Sequence, residues 1–348
     1  MFTIFCAALG KPIGGEHTYA PPRVVSGALA GNLADDRAGV VSLHGTHDLS
    51  RLRRAGAHSA TREGACAPLT QLTSPGHEVI GVIEKAGDQA KGLKVGDRVG
   101  LGWFAGSCLS CQPCLSGRQQ LCAGAEGMII GRHGGFTDKV RANWEWAVKL
   151  PDALDPASSG PLFCGGITVF APIADFDVKP TDRVGVVGIG GLGHLTLQFL
   201  NAWGCEVTAF TSSPSKAAEA KKLGAHHVVD SKGDGLEAIT GTLDFILVTA
   251  NAPLNWDAFI AALAPDGRLH FVGAVLEPIP VQTFSLIGGR KSVSGSQLGS
   301  PATVATMLDF CARHSIAPVT ETFAMDDVNA ALDHLRAGKA RHRIVLKR

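Results

Sequence analysis

The stretch DRVGVVGIGGLGHLTLQFLNAWG, residues 182–204, decides the fold of this 348-residue chain. Asp182 to Ile189 is rich in Val and bounded by turn residues, which predicts a buried strand. His194 to Trp203 reads as an apolar helix that stops at Gly204. Between them Gly188, Gly190 and Gly193 form G-x-G-x-x-G, with Gly191 and Leu192 inside the turn. The first glycine permits the tight turn, the second lets a pyrophosphate approach the backbone, and the third lets helix and strand pack closely. The helix N-terminus then faces the phosphates. The alternative is a merely structural turn, but strand, turn and helix in this order are the context a dinucleotide motif needs.

Downstream the rhythm repeats. Glu206 to Thr211 reads as a strand, Ser215 to Leu223 as a helix, Leu243 to Thr249 as a strand, Trp256 to Leu263 as a helix and Arg268 to Val272 as a strand. The α/β alternation predicts a doubly wound parallel sheet of the Rossmann type. Where an NAD site usually presents an acidic residue to the ribose, this chain has Thr211, Ser212 and Ser213, then Pro214, Ser215 and Lys216. Hydroxyls and an ammonium attract a 2′-phosphate that a carboxylate repels, which favours NADP(H). The same residues also serve as a helix cap and a solvated lysine. Helices over Thr303 to Arg313 and Asp326 to Leu335 and a strand over His342 to Leu346 break the rhythm.

Composition narrows the class. The 43 glycines are about 12 % of the chain, against roughly 7 % in an average protein, with no collagen-like period. Lys and Arg total 32 against 31 Asp and Glu, so no charge excess argues for nucleic acid or an anionic membrane, and small neutral partners are expected. Nine cysteines is an odd count. Four of them, Cys108, Cys111, Cys114 and Cys122, are spaced C-x2-C-x2-C-x7-C among Gly, Ser and Pro. That is a poor disulfide framework and a good metal lobe for a reducing, cytoplasmic compartment. Four thiolates close a tetrahedron around one zinc at about 2.3 Å and leave no place for water, so the site is structural. Such a site supplies about 10–16 kcal/mol of folding energy by analogy with zinc peptides. The rival readings are an iron–sulfur cluster and unliganded thiols. The start, Met1 to Gly10, lacks the basic residue of a signal peptide and is too short to span a bilayer.

Further motifs frame these two. Pro75-Gly76-His77-Glu78 with Gly81 opens a strand, Val95-Gly96-Asp97-Arg98-Val99 follows, and Cys164-Gly165-Gly166-Ile167-Thr168 precedes the nucleotide unit. Gly338-Lys339-Ala340-Arg341 lies near the end. Taken alone, His77 is as readily a satisfied polar residue as a ligand. In this order and spacing, over about residues 75 to 348, the motifs resemble the zinc-dependent medium-chain dehydrogenases/reductases. The likeness is to the cinnamyl alcohol dehydrogenase branch and its bacterial NADPH-dependent aldehyde reductases.

The resemblance implies a GroES-like, β-rich catalytic domain over 1–150, a Rossmann domain over 151–288 and a return to the catalytic domain over 289–348. The active site would lie in the cleft between them. It also implies two zinc ions, one structural in the cysteine lobe and one catalytic on His77, Glu78 and Cys164. Thr168 would lie near the nicotinamide, Trp103 would wall the pocket, and the chain would form a homodimer. The expected activity is aldehyde–alcohol interconversion with NADP(H): zinc polarises the carbonyl oxygen while the nicotinamide delivers hydride.

Residues 1–74 depart from the family. Its first zinc cysteine would fall at position 55, which is Ala55, and the relay hydroxyl and relay histidine at Ala57 and Ala60, so no catalytic relay residue is assigned. Between Pro12 and Glu84 there is no Lys but six Arg, and Thr18 to Ser74 shows little period of either kind. That stretch reads as out of frame with the ancestral gene. The alternative function is a catalytically impaired remnant that keeps structural zinc and NADP binding but lacks a complete catalytic zinc site.

Overall fold

The computed structural model describes residues 75–231 and 234–347, together with the strands Val40–Leu43, Gly45–Asp48, His58–Ala60 and Cys66–Pro68. Its contacts divide the chain into two compact units, one built on residues 165–298 and the other on the segments before and after it. Among the described residues no helix is long and apolar enough to cross a membrane.

The outer unit is mostly short strands. These are β1 (Val40–Leu43), β2 (Gly45–Asp48), β3 (His58–Ala60), β4 (Cys66–Pro68), β5 (Val79–Val82) and β6 (Lys85–Ala86), then β7 (Arg98–Leu101), β8 (Phe104–Gly106), β9 (Glu126–Gly127), β10 (Val140–Asn143) and β11 (Val148–Lys149). A one-turn helix, α1 (Gln112–Leu115), lies between β8 and β9. The inner unit opens with helix α2 (Gly165–Asp175) and continues as β12 (Arg183–Val187), α3 (Gly193–Trp203), β13 (Glu206–Thr211), α4 (Ala217–Lys222), β14 (His227–Asp230), β15 (Leu243–Val248), α5 (Trp256–Ala262), β16 (Leu263–Phe271), α6 (Thr283–Ile287) and β17 (Ser292–Gly295). The chain then returns to the outer unit with α7 (Pro301–His314), β18 (Thr320–Ala324), α8 (Val328–Arg336) and β19 (Arg343–Lys347).

In the outer unit six strands form one sheet in the order β11-β7-β5-β2-β19-β18. An early strand and the last strand meet there, because Leu346 of β19 pairs with His47 of β2 and His47 with Val79 of β5. Phe136, Val328, Ala331, Leu335, Ile344 and Leu346 close a core between α8 and this sheet.

The inner unit is the predicted doubly wound sheet, in the order β14-β13-β12-β15-β16-β17 with every neighbour parallel. Strands covered on both faces need continuous apolar runs rather than alternation. Val184, Val186 and Val187 of β12 and Ile246, Leu247 and Val248 of β15 are accordingly buried. Phe170 of α2 meets Phe199 of α3 edge to face, with ring centroids 5.3 Å apart. The strand order reverses between β12 and β15, and ligands of such sheets bind beyond the carboxyl ends of the strands at that point.

Two local expectations shift. The helix predicted over Ser215 to Leu223 begins as a 3-10 turn, Pro214–Lys216, before α4, a tight start common at helix N-termini. The strand predicted from Arg268 already starts at Leu263, with a change of register: Leu243 faces Leu263 while Phe245 faces Arg268. Asp266 takes a left-handed conformation, φ 66°, in the irregularity.

One buried polar group makes the stability of this sheet depend on acid. His270 on β16 is fully buried, and its ring nitrogens lie 2.8 and 2.9 Å from the hydroxyls of Ser294 and Ser296 on or beside β17. A serine hydroxyl both donates and accepts, so the neutral imidazole is satisfied at both nitrogens. Burial, with the Arg268 charge added, lowers its pKa to about 4. The unfolded chain titrates this ring near 6.5 and therefore binds the extra proton first. Stability is full above about pH 6.5 and falls as the pH drops towards 4, by about 3 kcal/mol for the whole window. Urea unfolding at pH 7 and pH 5 checks this: the difference in midpoint shrinks in His270→Gln.

Candidate metal and dinucleotide sites

His77 and Glu78 sit directly before β5, and backbone contacts of an unusual kind place them. Gly76 has φ 95°, and a Cβ there would lie 2.4 Å from the Phe136 ring. The Phe136 amide donates to Pro75 O at 2.8 Å and the Gly135 amide to Gly76 O at 2.7 Å, which ties the segment to the stretch between β9 and β10. Cys164 follows a 3-10 turn, Gly160–Phe163, and is fully buried. A Cβ on Gly102, just past β7, would lie 2.2 Å from Phe163 O, so Phe163 and the adjoining Cys164 reach β7 only because that side chain is missing.

One ligand atom each of His77, Glu78 and Cys164 lies within 4.8 Å of the others, and all three residues are buried. Imidazole, carboxylate and thiolate together are the donor set of an ion of borderline softness such as zinc. Three protein donors leave a coordination position for a reactant, the pattern of catalytic rather than structural zinc. Trp103 meets the His77 ring edge to face at 5.1 Å and is 5 % exposed, so it both orients the imidazole and keeps water from that side. Arg343, first residue of β19, brings Nη1 to 3.7 Å from Glu78 Oε1, with both side chains no more than 2 % exposed. Two buried opposite charges compensate each other, whereas either alone would be costly. Spacing in the sequence gave no signal for Arg343, because the sheet that joins early strands to the last strand creates the contact.

The four lobe cysteines also converge, each sulfur within 4.8 Å of the others. A tetrahedron of sulfurs about 2.3 Å from one zinc has edges of about 3.8 Å. Cys108 Sγ lies 4.0 Å from Cys114 Sγ and 3.5 Å from Cys122 Sγ, which matches. Amides of Ser110 and Cys111 point at the Cys108 sulfur and lower its pKa to about 6, which favours the thiolate form that a metal binds. Residues fit metal at both clusters, and among the described residues these are the two His/Cys/Asp/Glu groups of that kind.

The glycine loop joins β12 to α3. A Cβ on Gly193 would lie 1.9 Å from Gly188 O, so helix and turn touch backbone to backbone. A Cβ on Gly190 would meet nothing within 4 Å, and that open space suits the approach of a pyrophosphate. Gly191 and Leu192 complete the turn, Leu192 as the residue that precedes α3. At the end of β13 the Ser213 amide donates to Thr211 Oγ1 at 3.2 Å, and the hydroxyls of Ser213 and Ser215 are 2.9 Å apart. Ser212 is exposed, and Lys216 Nζ donates to Ile189 O at 3.4 Å, which brings the ammonium to the loop itself. Thr168 is buried in the first turn of α2. Ala55 and Ala57 lie outside the described residues, and Ala60 pairs with Cys66 in the β3–β4 hairpin.

Comparison with known proteins agrees with both halves of this arrangement. Residues 44–152 match the family model of the alcohol dehydrogenase GroES-like domain, and residues 191–313 that of the zinc-binding dehydrogenase domain. The first match extends upstream of Pro75, where the recognisable motifs begin. The chain is 54 % identical over 273 residues to an aldehyde reductase AdhA of Synechocystis, covering 78 % of this chain and 81 % of that one. Among solved structures, a cinnamyl alcohol dehydrogenase of Sorghum bicolor superposes with a TM-score of 0.80 at 31 % identity, over 89 % of this chain and 90 % of its own. The enzyme of the same name from Helicobacter pylori, complexed with NADP(H), gives 0.76 at 25 % identity over 89 % and 90 %. The chain belongs to the zinc-type alcohol dehydrogenases of the medium-chain dehydrogenase/reductase family.

Proposed function

We propose that this oxidoreductase interconverts aldehydes and primary alcohols with NADP(H), using one zinc on His77, Glu78 and Cys164 and a second, structural zinc in the cysteine lobe. The observation that carries the reading is the convergence of those three buried donors from two separate segments. Imidazole and carboxylate buried together beside a thiol are costly unless engaged, which supports a bound ion over a remnant that has lost it. The names of the relatives, an aldehyde reductase and two cinnamyl alcohol dehydrogenases, support the substrate class. A reducing, cytoplasmic setting suits a lobe of four free thiols.

When bound, zinc supplies Lewis-acid polarisation of the substrate oxygen and the nicotinamide supplies the hydride equivalent. The protein's own part is to hold and orient. His77 and Cys164 fix the ion from opposite sequence flanks, Glu78 adds a carboxylate whose charge Arg343 balances, and Trp103 locks the imidazole. The open face of Gly190 and the amides at the start of α3 receive the pyrophosphate. Ser213, Ser215 and Lys216 present two hydroxyls and an ammonium to the 2′-phosphate, and the cofactor complexed in the Helicobacter pylori relative supports NADP(H).

Metal analysis tests the site directly. The purified chain is expected to carry about two zinc ions, and Cys164→Ala about one, with aldehyde-dependent NADPH oxidation abolished and the fold retained. A fully metallated, folded sample that turns over no member of an aldehyde panel would sink the proposal. Cys114→Ala is expected to remove the other ion and most soluble protein with it, since a structural zinc contributes folding energy outright. Replacing Lys216 by Ala should weaken NADPH binding about 10- to 100-fold, the size of a charge-assisted contact, and NADH binding far less; fluorescence titration with both nucleotides reads the difference.

A further inference from the structure

At the point where the sheet order reverses, β12 and β15 run side by side, and the chain leaves β15 at Thr249 opposite the start of the glycine loop. The amides of Thr249 and Ala250 both donate to Val187 O, at 2.9 and 3.1 Å. The Thr249 hydroxyl does something different. Its oxygen lies 2.6 Å from Gly188 O and 3.0 Å from Val187 O, so its proton goes chiefly to the first glycine of the loop. The same carbonyl oxygen is the atom against which Gly193 packs, where a Cβ would come to 1.9 Å. Gly188 O is thus gripped between a hydroxyl on one strand end and the first residue of α3.

The peptide that contains this oxygen sets the direction of the loop. A trans peptide is planar, with C=O and N–H pointing opposite ways, so fixing Gly188 O also fixes the Ile189 N–H and the course of the next residues. Those residues are Gly190, whose missing side chain leaves open space, and the turn that delivers the first amides of α3. Gly188, at φ 90°, lies in a region where glycine has little steric preference of its own and needs an external restraint. The anchor is itself closely packed. A Cβ on Gly188 would come to 3.0 Å from that of Ala250, a Cβ on Gly273 to 2.2 Å from Ala250 O, and Asn251 Oδ1 accepts from the Ala274 amide at 2.8 Å.

We infer that Thr249 is a positioning residue for the cofactor: its hydroxyl holds the Gly188 peptide in the orientation that turns the loop's amides toward a pyrophosphate. The inference rests on the reading of residues 188–193 as the dinucleotide site. It requires that the restraint act on the part common to NADPH and NADH, and so weaken both equally, whereas Lys216 touches the loop at Ile189 O but presents its charge to the 2′-phosphate that only NADPH carries.

Dissociation constants of NADPH and NADH, measured by fluorescence titration of the purified full-length protein, test it with three variants. Thr249→Val keeps the shape and removes the donor, Thr249→Ala removes both, and Thr249→Ser keeps the donor without the methyl group. Thr249→Val is expected to weaken both nucleotides by the same factor, about tenfold, the scale of one lost hydrogen bond. Thr249→Ser should stay within about twofold of the parent, and kcat at saturating NADPH should change by less than about twofold, so that the loss appears in KM. If Thr249→Val fails to fold, Thr249→Ala against Thr249→Ser decides the same question. Unchanged binding in the donor-less variants, or a Thr249→Ser as weak as they are, overturns the inference and leaves the dinucleotide site standing. A parent protein that binds neither nucleotide overturns the site and the inference together.

Discussion

Both candidate sites are built on places where backbones approach more closely than any side chain permits. Gly188 O touches the position where a Cβ of residue 193 would be, which seats helix α3 on the turn after β12. Phe163 O touches the corresponding position of residue 102, which brings Cys164 to the end of β7. Neither contact is strong in itself. Each fixes a polar group to within a fraction of an ångström because the interior around it is packed at crystal-like density and cannot yield. The chemistry depends on that exactness of placement, since a metal ligand displaced by an ångström is no longer a ligand.

The nucleotide unit was legible because its determinants are close in sequence. Strand, turn and helix of the glycine loop all lie within residues 183–203, and the apolar runs of Arg183–Val187 and Leu243–Val248 have no other stable place than a sheet covered on both faces. The four lobe cysteines were legible for the same reason: their spacing alone brings the sulfurs within reach of one ion. His77 and Cys164 required a family likeness, because no local pattern joins them. Arg343 and Thr249 were out of reach altogether. An arginine in a final strand and a threonine at a strand end are ordinary residues until the sheet order puts one beside Glu78 and the other beside Gly188. The missing family residues at 55, 57 and 60 were visible as alanines, since an absent thiol or hydroxyl is a fact of composition.

The two metal clusters are electrostatically unlike. The lobe gathers four sulfurs and lowers one thiol with backbone amides, an arrangement that binds an ion and offers it nothing further. The second cluster mixes nitrogen, oxygen and sulfur donors, compensates the oxygen donor with a buried guanidinium and guards the nitrogen donor with an indole. Mixed ligation with outer groups that set orientation and charge is what a site needs if its ion is to exchange a reactant.

The meeting of early strands and the last strand in one sheet has a consequence for the order of synthesis. The cysteine lobe is complete once residue 122 has emerged, so its ion can be captured while most of the protein is still to be made. Glu78, by contrast, waits for Arg343, which arrives with the last strand and after the entire nucleotide unit. A nascent chain, folding from its N-terminal side as it grows, therefore holds all four sulfurs of the lobe early and completes the Glu78–Arg343 charge pair last. The charge of the mixed cluster is left unbalanced until the rest of the molecule exists.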